Sequence, residues 1–187
     1  MPECLITAGM IASCGDLRRV GGANKRLWLF NINQVDRTTG TQGYTIDVNG
    51  YVTAIAWTAY GGLYIFESQK KSHSGGYTAV IQSGGNKFFN HDVIAKLLNA
   101  TPADDQVIEE LLVADVGVII ETNNQEFILY GGFNGMEMLE GVQNSGQESE
   151  SDTSSTLTFQ GMEKELPKRI LSVDYATTLT LIESYEL

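Results

Sequence analysis

Cysteine, proline, histidine and positive charge are all scarce in this chain, and each scarcity excludes something. Only Cys4 and Cys14, His73 and His91 occur in 187 residues. Two cysteines ten positions apart and two distant histidines do not make a zinc set, and free thiols buried in a reducing compartment are the expected state. No apolar run reaches the roughly 18 to 20 residues that a membrane span needs. The longest candidate, residues 4–14, has no basic segment before it and is not read as a secretion signal. Lys and Arg number 12 against 23 Asp and Glu, a net charge of −11. A surface this acidic repels nucleic-acid phosphate, which argues against specific DNA binding. Enclosing DNA is a different task and stays open.

Glycine is plentiful: 20 residues, against three prolines. That balance suits twisted sheets with turns, bulges and close backbone approaches. A chain of this length buries roughly 70% of the surface its unfolded form exposes. One domain over residues 1–187 is therefore expected to stand without staples. The charge is also uneven. Residues 1–90 hold eight Lys/Arg and five Asp/Glu, net +3; residues 91–187 hold four and eighteen, net −14.

The hydrophobic pattern predicts strands in hairpins. Residues 44–48 and 51–57 flank Asn49-Gly50, the signal for a two-residue type I′ turn. Residues 63–66 and 77–81 read as a second hairpin, with 67–76 as a polar protruding arm. Residues 116–122 and 127–130 read as a third, and 136–142 with 156–159 as a fourth, joined by an acidic flexible loop over 144–155. One helix is expected to start at Thr101 or Pro102 and run to about Ala114. Asp104 and Asp105 fall in its first turn, and Val107, Ile108, Leu111 and Leu112 form its apolar stripe. Residues 91–98 fit a helix or a strand equally, and 171–185 suggest a closing strand or pair. The expected class is mainly β: an antiparallel β-sandwich or partly closed barrel with one flanking α-helix.

Converging catalytic groups are not visible in the sequence. Glu109 and Glu110 are adjacent on the helix and point to different sides; they read as a solvated face. His73, in a Ser/Gly-rich segment, reads as exposed, and His91 beside Asp92 as a structural histidine. No third group marks a Cys/His nucleophile pair. The expectation is a protein with no catalytic residues, no metal and no cofactor.

From Asn86 to Leu171 the order of elements carries a resemblance. The stretch 87–93 (KFFNHDV) leads to the helix, then to 116–121 (VGVIIE), 127–131 (FILYG) and 134–139 (NGMEML). An acidic loop follows, then 156–163 (LTFQGME after Thr156) and Leu166-Pro167. This order resembles the latter half of the tail tube proteins of tailed bacteriophages, those of Bacteroidetes-type phages especially. The resemblance implies a virion structural protein, made in the host cytoplasm, assembled into hexameric rings that stack head to tail as a tail tube. Its partners would be copies of itself, other tail or neck proteins, and non-specific double-stranded DNA in the lumen. Neck, ring or baseplate proteins built on the same fold would show the same pattern. A monomeric β-barrel binding module is the reading from another class.

Within that implied tube, Lys70, Lys71 and His73 on the 67–76 arm are the expected inter-subunit contacts. The lumen-facing candidates are Glu137 and Glu140, preferred over Glu148, Glu150 and Asp152 of the loop because a channel wall is best built from rigid sheet.

Overall fold

The apolar runs at 27–30 and 116–120 do not alternate with polar residues, and their place in the fold explains why. The computed structural model describes residues 22–68, 72–82, 84–97, 102–144 and 154–187. In it β1 (Ala23–Asn31) pairs antiparallel with β7 (Val116–Thr122). Leu27, Leu29, Val118 and Ile120 face one apolar cluster, whereas Trp28, Phe30 and Ile119 face another. A strand with core on both sides has no polar face to show.

Around this pair the described strands form two sheets. The larger runs β2 (Tyr44–Ile46), β3 (Val52–Ile55), β11 (Lys168–Ile170), β8 (Phe127–Tyr130), β7, β1 and β4 (Tyr64–Glu67). Its pairs are antiparallel except β3 with β11. The smaller runs β5 (His73–Ile81), β6 (Lys87–Leu97), β10 (Ser154–Glu163) and β9 (Glu137–Asn144), all antiparallel. Val93, Ala95, Leu97, Leu157 and Phe159 of the small sheet meet the first cluster of the large one. The class is therefore mainly β, a sandwich; neither sheet closes into a barrel.

Several local expectations hold. The hairpins β7–β8 and β9–β10 pair as read, and helix α1 (Pro102–Leu111) starts at the proline, with Asp104 and Asp105 in its first turn. It ends three residues earlier than the apolar stripe suggested. The Thr101 cap, the two thiols and residues 145–153 of the acidic loop lie outside the described residues.

Three expectations are corrected and one open alternative is resolved. Residues 63–66 and 77–81 are not a hairpin: β4 pairs with β1 in the large sheet, and β5 with β6 in the small one. Both strands are apolar, and only the tertiary partner distinguishes a hairpin from a crossing between layers. Within the ambiguous 91–98 stretch, residues 91–97 belong to β6, because alternate residues face the core between the sheets; residue 98 lies outside the described residues. The turn after β2 is not type I′. Gly50 alone takes the left-handed region (φ 85°), and the Gly50 N–H donates to the Asp47 carbonyl. Asp47 Oδ1 also accepts from the Asn49 and Tyr51 N–H groups at 2.9 and 2.8 Å, drawing the loop one residue longer.

The C-terminal stretch is a helix rather than a strand. In α2 (Tyr175–Glu183), Asp174 caps the N-terminus by accepting from the Thr177 N–H at 2.7 Å. Thr178 is buried; its hydroxyl donates to the Asp174 carbonyl and accepts from the Ser172 N–H. Tyr175 stacks on Phe127 at 5.5 Å, and its hydroxyl donates to Glu121. The three threonines lower helix propensity by only tenths of a kcal/mol each, which such packing overrides.

Candidate functional site

The two faces of the small sheet differ completely. In β6 the residues His91, Val93, Ala95 and Leu97 point inward and are buried, so Asn90, Asp92, Ile94 and Lys96 occupy the outer face. In β10, Leu157 and Phe159 are inward, which leaves Thr156, Thr158 and Gln160 outside. The register sets Gln160 opposite Asp92, and its amide donates to Asp92 Oδ1 at 2.7 Å.

Glu137 and Glu140 are both exposed on β9. Three positions apart in a regular strand, they would point to opposite faces. The register shifts between Thr158 and Phe159, pairing Glu140 with Thr158 but Met138 with Phe159, so Leu139 is an inserted residue. The bulge brings Glu137 and Glu140 onto the same outer face as Asp92. Three carboxylates thus share a surface with threonine, asparagine and glutamine and with the exposed apolar Ile94 and Val142, and Lys96 is its one cation among the described residues.

The inner face is held by buried polar groups that touch the loop joining the two sheets. His91 Nδ1 accepts from the Gly131 N–H at 3.1 Å, so its proton sits on Nε2, which donates to the Glu165 carbonyl at 3.0 Å. Burial keeps this ring below the usual histidine range, against the Glu165 carbonyl and the Asp92 charge. Glu163 Oε1 accepts from the Phe133 and Asn134 N–H groups at 3.0 and 2.9 Å, while Oε2 has no partner among the described residues. Burial raises the Glu163 carboxyl; those N–H groups and the Arg37 charge oppose the rise. His91 through Gly131, and Glu163 through Phe133 and Asn134, position the 131–135 loop.

Of the residues expected to contact a neighbour, Lys70 and Lys71 lie outside the described residues. His73 was read as exposed and is instead 2% exposed, the first residue of β5. Its Nε2 donates to the Lys25 carbonyl of β1 at 3.2 Å, and burial lowers its basicity. The polar run around it looked like an arm because strand-forming residues were absent; residues 73–76 nevertheless pair with 92–95 of β6. A Cβ at Gly75 would stand 2.6 Å from the Tyr130 ring, so glycine there permits β5 to lie against the large sheet.

Asp92 and Gln160 were missed as members of this surface. The signal was available in the alternation of 91–97 and 156–160, once both are taken as strands. Among the described residues no group of three or more His, Cys, Asp or Glu is placed to hold a metal ion, and no helix is long and apolar enough to cross a membrane. Compared with family models, curated proteins and solved structures, the chain matches none.

Proposed function

We propose that this chain is a virion structural subunit that forms stacked rings, a phage tail tube, with the outer face of the small sheet lining the channel for DNA. One observation carries this reading: among the described residues the small sheet has no strand partner along either long edge, and it presents an acidic outer face. Its edge strands β5 and β9 have nine and eight residues. The large sheet is edged by strands of only three and four, β2 and β4, and the chain just before β4 is covered where Leu63 bonds to Tyr185 and Leu187. Short or covered edges resist strand addition, whereas long free edges invite it. Edge β5 of one copy against edge β9 of the next is a head-to-tail contact, and such contacts close into rings when the rotation allows.

A channel wall of this kind lets DNA slide. Two like charges about 10 Å apart in water repel by roughly 0.4 kcal/mol before screening. Each contact is weak, but every copy repeats Asp92, Glu137 and Glu140. The resemblance over residues 86–171 supplies the phage context.

Negative-stain microscopy of the purified protein tests the reading. Rings with a central channel, stacked into tubes, are expected. Monodisperse monomers at high concentration would overturn it, and rings that never stack would favour a neck or baseplate ring.

A further inference from the structure

The β5–β6 ribbon outruns the core that supports its start. Pairing with β10 stops at Phe89, opposite Glu163, so among the described residues Lys87 and Phe88 have β5 as their only strand neighbour. The strand parity that buries His73 leaves Tyr77 54% and Ile81 72% exposed, with Tyr77 edge-on to Phe89 at 6.0 Å. Single exposed apolar side chains are ordinary, but an aromatic pair and an isoleucine on one projecting ribbon form a patch. Lys87 is the only Asp, Glu, Lys or Arg between His73 and His91.

At the other end of the same ribbon lies a complementary hollow. Between β4 and α1 runs a groove of about 410 Å³, lined by Leu29, Ile65, Phe66, Val107 and Leu111, with Glu110 on its rim. A smaller hollow of about 250 Å³, also lined by Ile65, Phe66 and Val107, continues it past Leu97, where Glu67 and Asp104 stand. Leu97 and Lys87 are the two ends of β6, ten residues or about 33 Å apart. An apolar projection with one cation and an apolar groove with an acidic rim thus sit at opposite ends of one strand.

We propose that the β5–β6 hairpin tip of one copy docks in the β4–α1 groove of the next, joining rings end to end. The occupant is a second copy of this chain: tip and groove differ in shape and charge, so the contact is heterologous and repeats along one axis. One tip buries less than a stable isolated pair needs, and a ring presenting several tips together supplies the remainder. The proposal rests on the ring reading above but names a contact which that reading does not contain.

The test compares tube length by negative stain, and assembly size by sedimentation, for wild type, Ile81→Asp and Val107→Asp, with far-ultraviolet dichroism as the folding control. Single rings and loss of tubes in both variants are expected. Lys87→Glu and Glu110→Lys should each shorten the tubes, and the double variant should restore them. Tubes of normal length with Ile81→Asp, or no restoration in the charge-reversed double, would overturn the docking and leave the ring reading standing. A wild-type protein that stays monomeric would overturn both, and wild-type rings that bind only an added tail protein at the groove would replace the second copy as occupant.

Discussion

The large sheet and the small sheet are built from the same kinds of strand, yet they spend their side chains differently. In the large sheet β1 and β7 are buried on both faces, with Trp28, Phe30 and Ile119 on one side and Leu27, Leu29 and Val118 on the other. In the small sheet one face meets that core and the other carries Asp92, Glu137 and Glu140 among neutral polar residues, Lys96 and the exposed Ile94 and Val142. The large sheet is therefore the scaffold, and under the proposed function the small sheet is the surface that faces the channel. Changes in the first should cost stability, and changes in the second should alter assembly with the fold intact.

The largest effect is expected at Trp28, fully buried, tilted against Phe127 at 5.9 Å and donating from Nε1 to Glu186 at 2.7 Å. Trp28→Ala should lower unfolding free energy by about 3 to 5 kcal/mol, read by denaturant titration. A loss below about 1 kcal/mol would mean that the large sheet is not the scaffold.

Next is Glu121, a buried carboxylate on β7 that accepts from Asn24, Arg26 and Tyr175 at 2.6, 3.1 and 2.7 Å. It ties α2 to the large sheet. Glu121→Ala strands those donors and should cost about 3 kcal/mol, with Phe127 and Tyr175 no longer stacked. Unchanged protease resistance of residues 175–187 would argue against that tie.

Between the sheets the effect should depend on pH. His73 and His91 are held below the usual histidine range by burial, so the unfolded chain binds protons more readily. Their contribution is complete above about pH 6.5 and is lost as pH falls below that value toward their folded ones. The slope cannot exceed about 1.4 kcal/mol per pH unit for each ring. Glu163 has the opposite sign: its raised carboxyl favours the fold at low pH, and that contribution fades as pH rises through the folded value. Glu163→Gln keeps an acceptor for Phe133 and Asn134 and should flatten the stability profile above about pH 4.5. An unaltered profile would show that this carboxyl ionises freely.

The smallest effect on folding is expected on the outer face of the small sheet. Glu137→Lys with Glu140→Lys should shift stability by under about 0.5 kcal/mol. Assembled tubes of this variant should retain DNA and slow its passage at low salt, because each lysine can pair with phosphate and release a counterion. Passage at the wild-type rate would remove these side chains from the channel wall.

Legibility in the sequence followed the range of the interactions. Pro102 with Asp104 and Asp105 marked α1, and Asn123 to Glu126 marked the β7–β8 turn, since both are written in neighbouring residues. The Asx contacts of Asp47 are equally local and were overlooked because Asn49-Gly50 offered a stronger pattern. Tyr175, Thr178 and Ile182 recur at helical spacing behind Asp174, but threonine and leucine alternation masked them. On the candidate surface, Glu137 and Glu140 were found as strand-borne acids, while the bulge that gives them one face depends on register with β10.

The sequence by itself determined that the chain is mainly β, that it is acidic and most strongly so in its second half, and where α1 begins. These follow from residue type and spacing, which act over a few positions. Only the tertiary structure decided that β4 and β5 part into different sheets and that His73 is buried. It also decided that Asp92 joins Glu137 and Glu140, and that the hairpin tip and groove stand at opposite ends of β6. Each of these depends on which distant strand lies alongside, and backbone hydrogen bonds, alike for every residue, leave that choice to the packing of side chains.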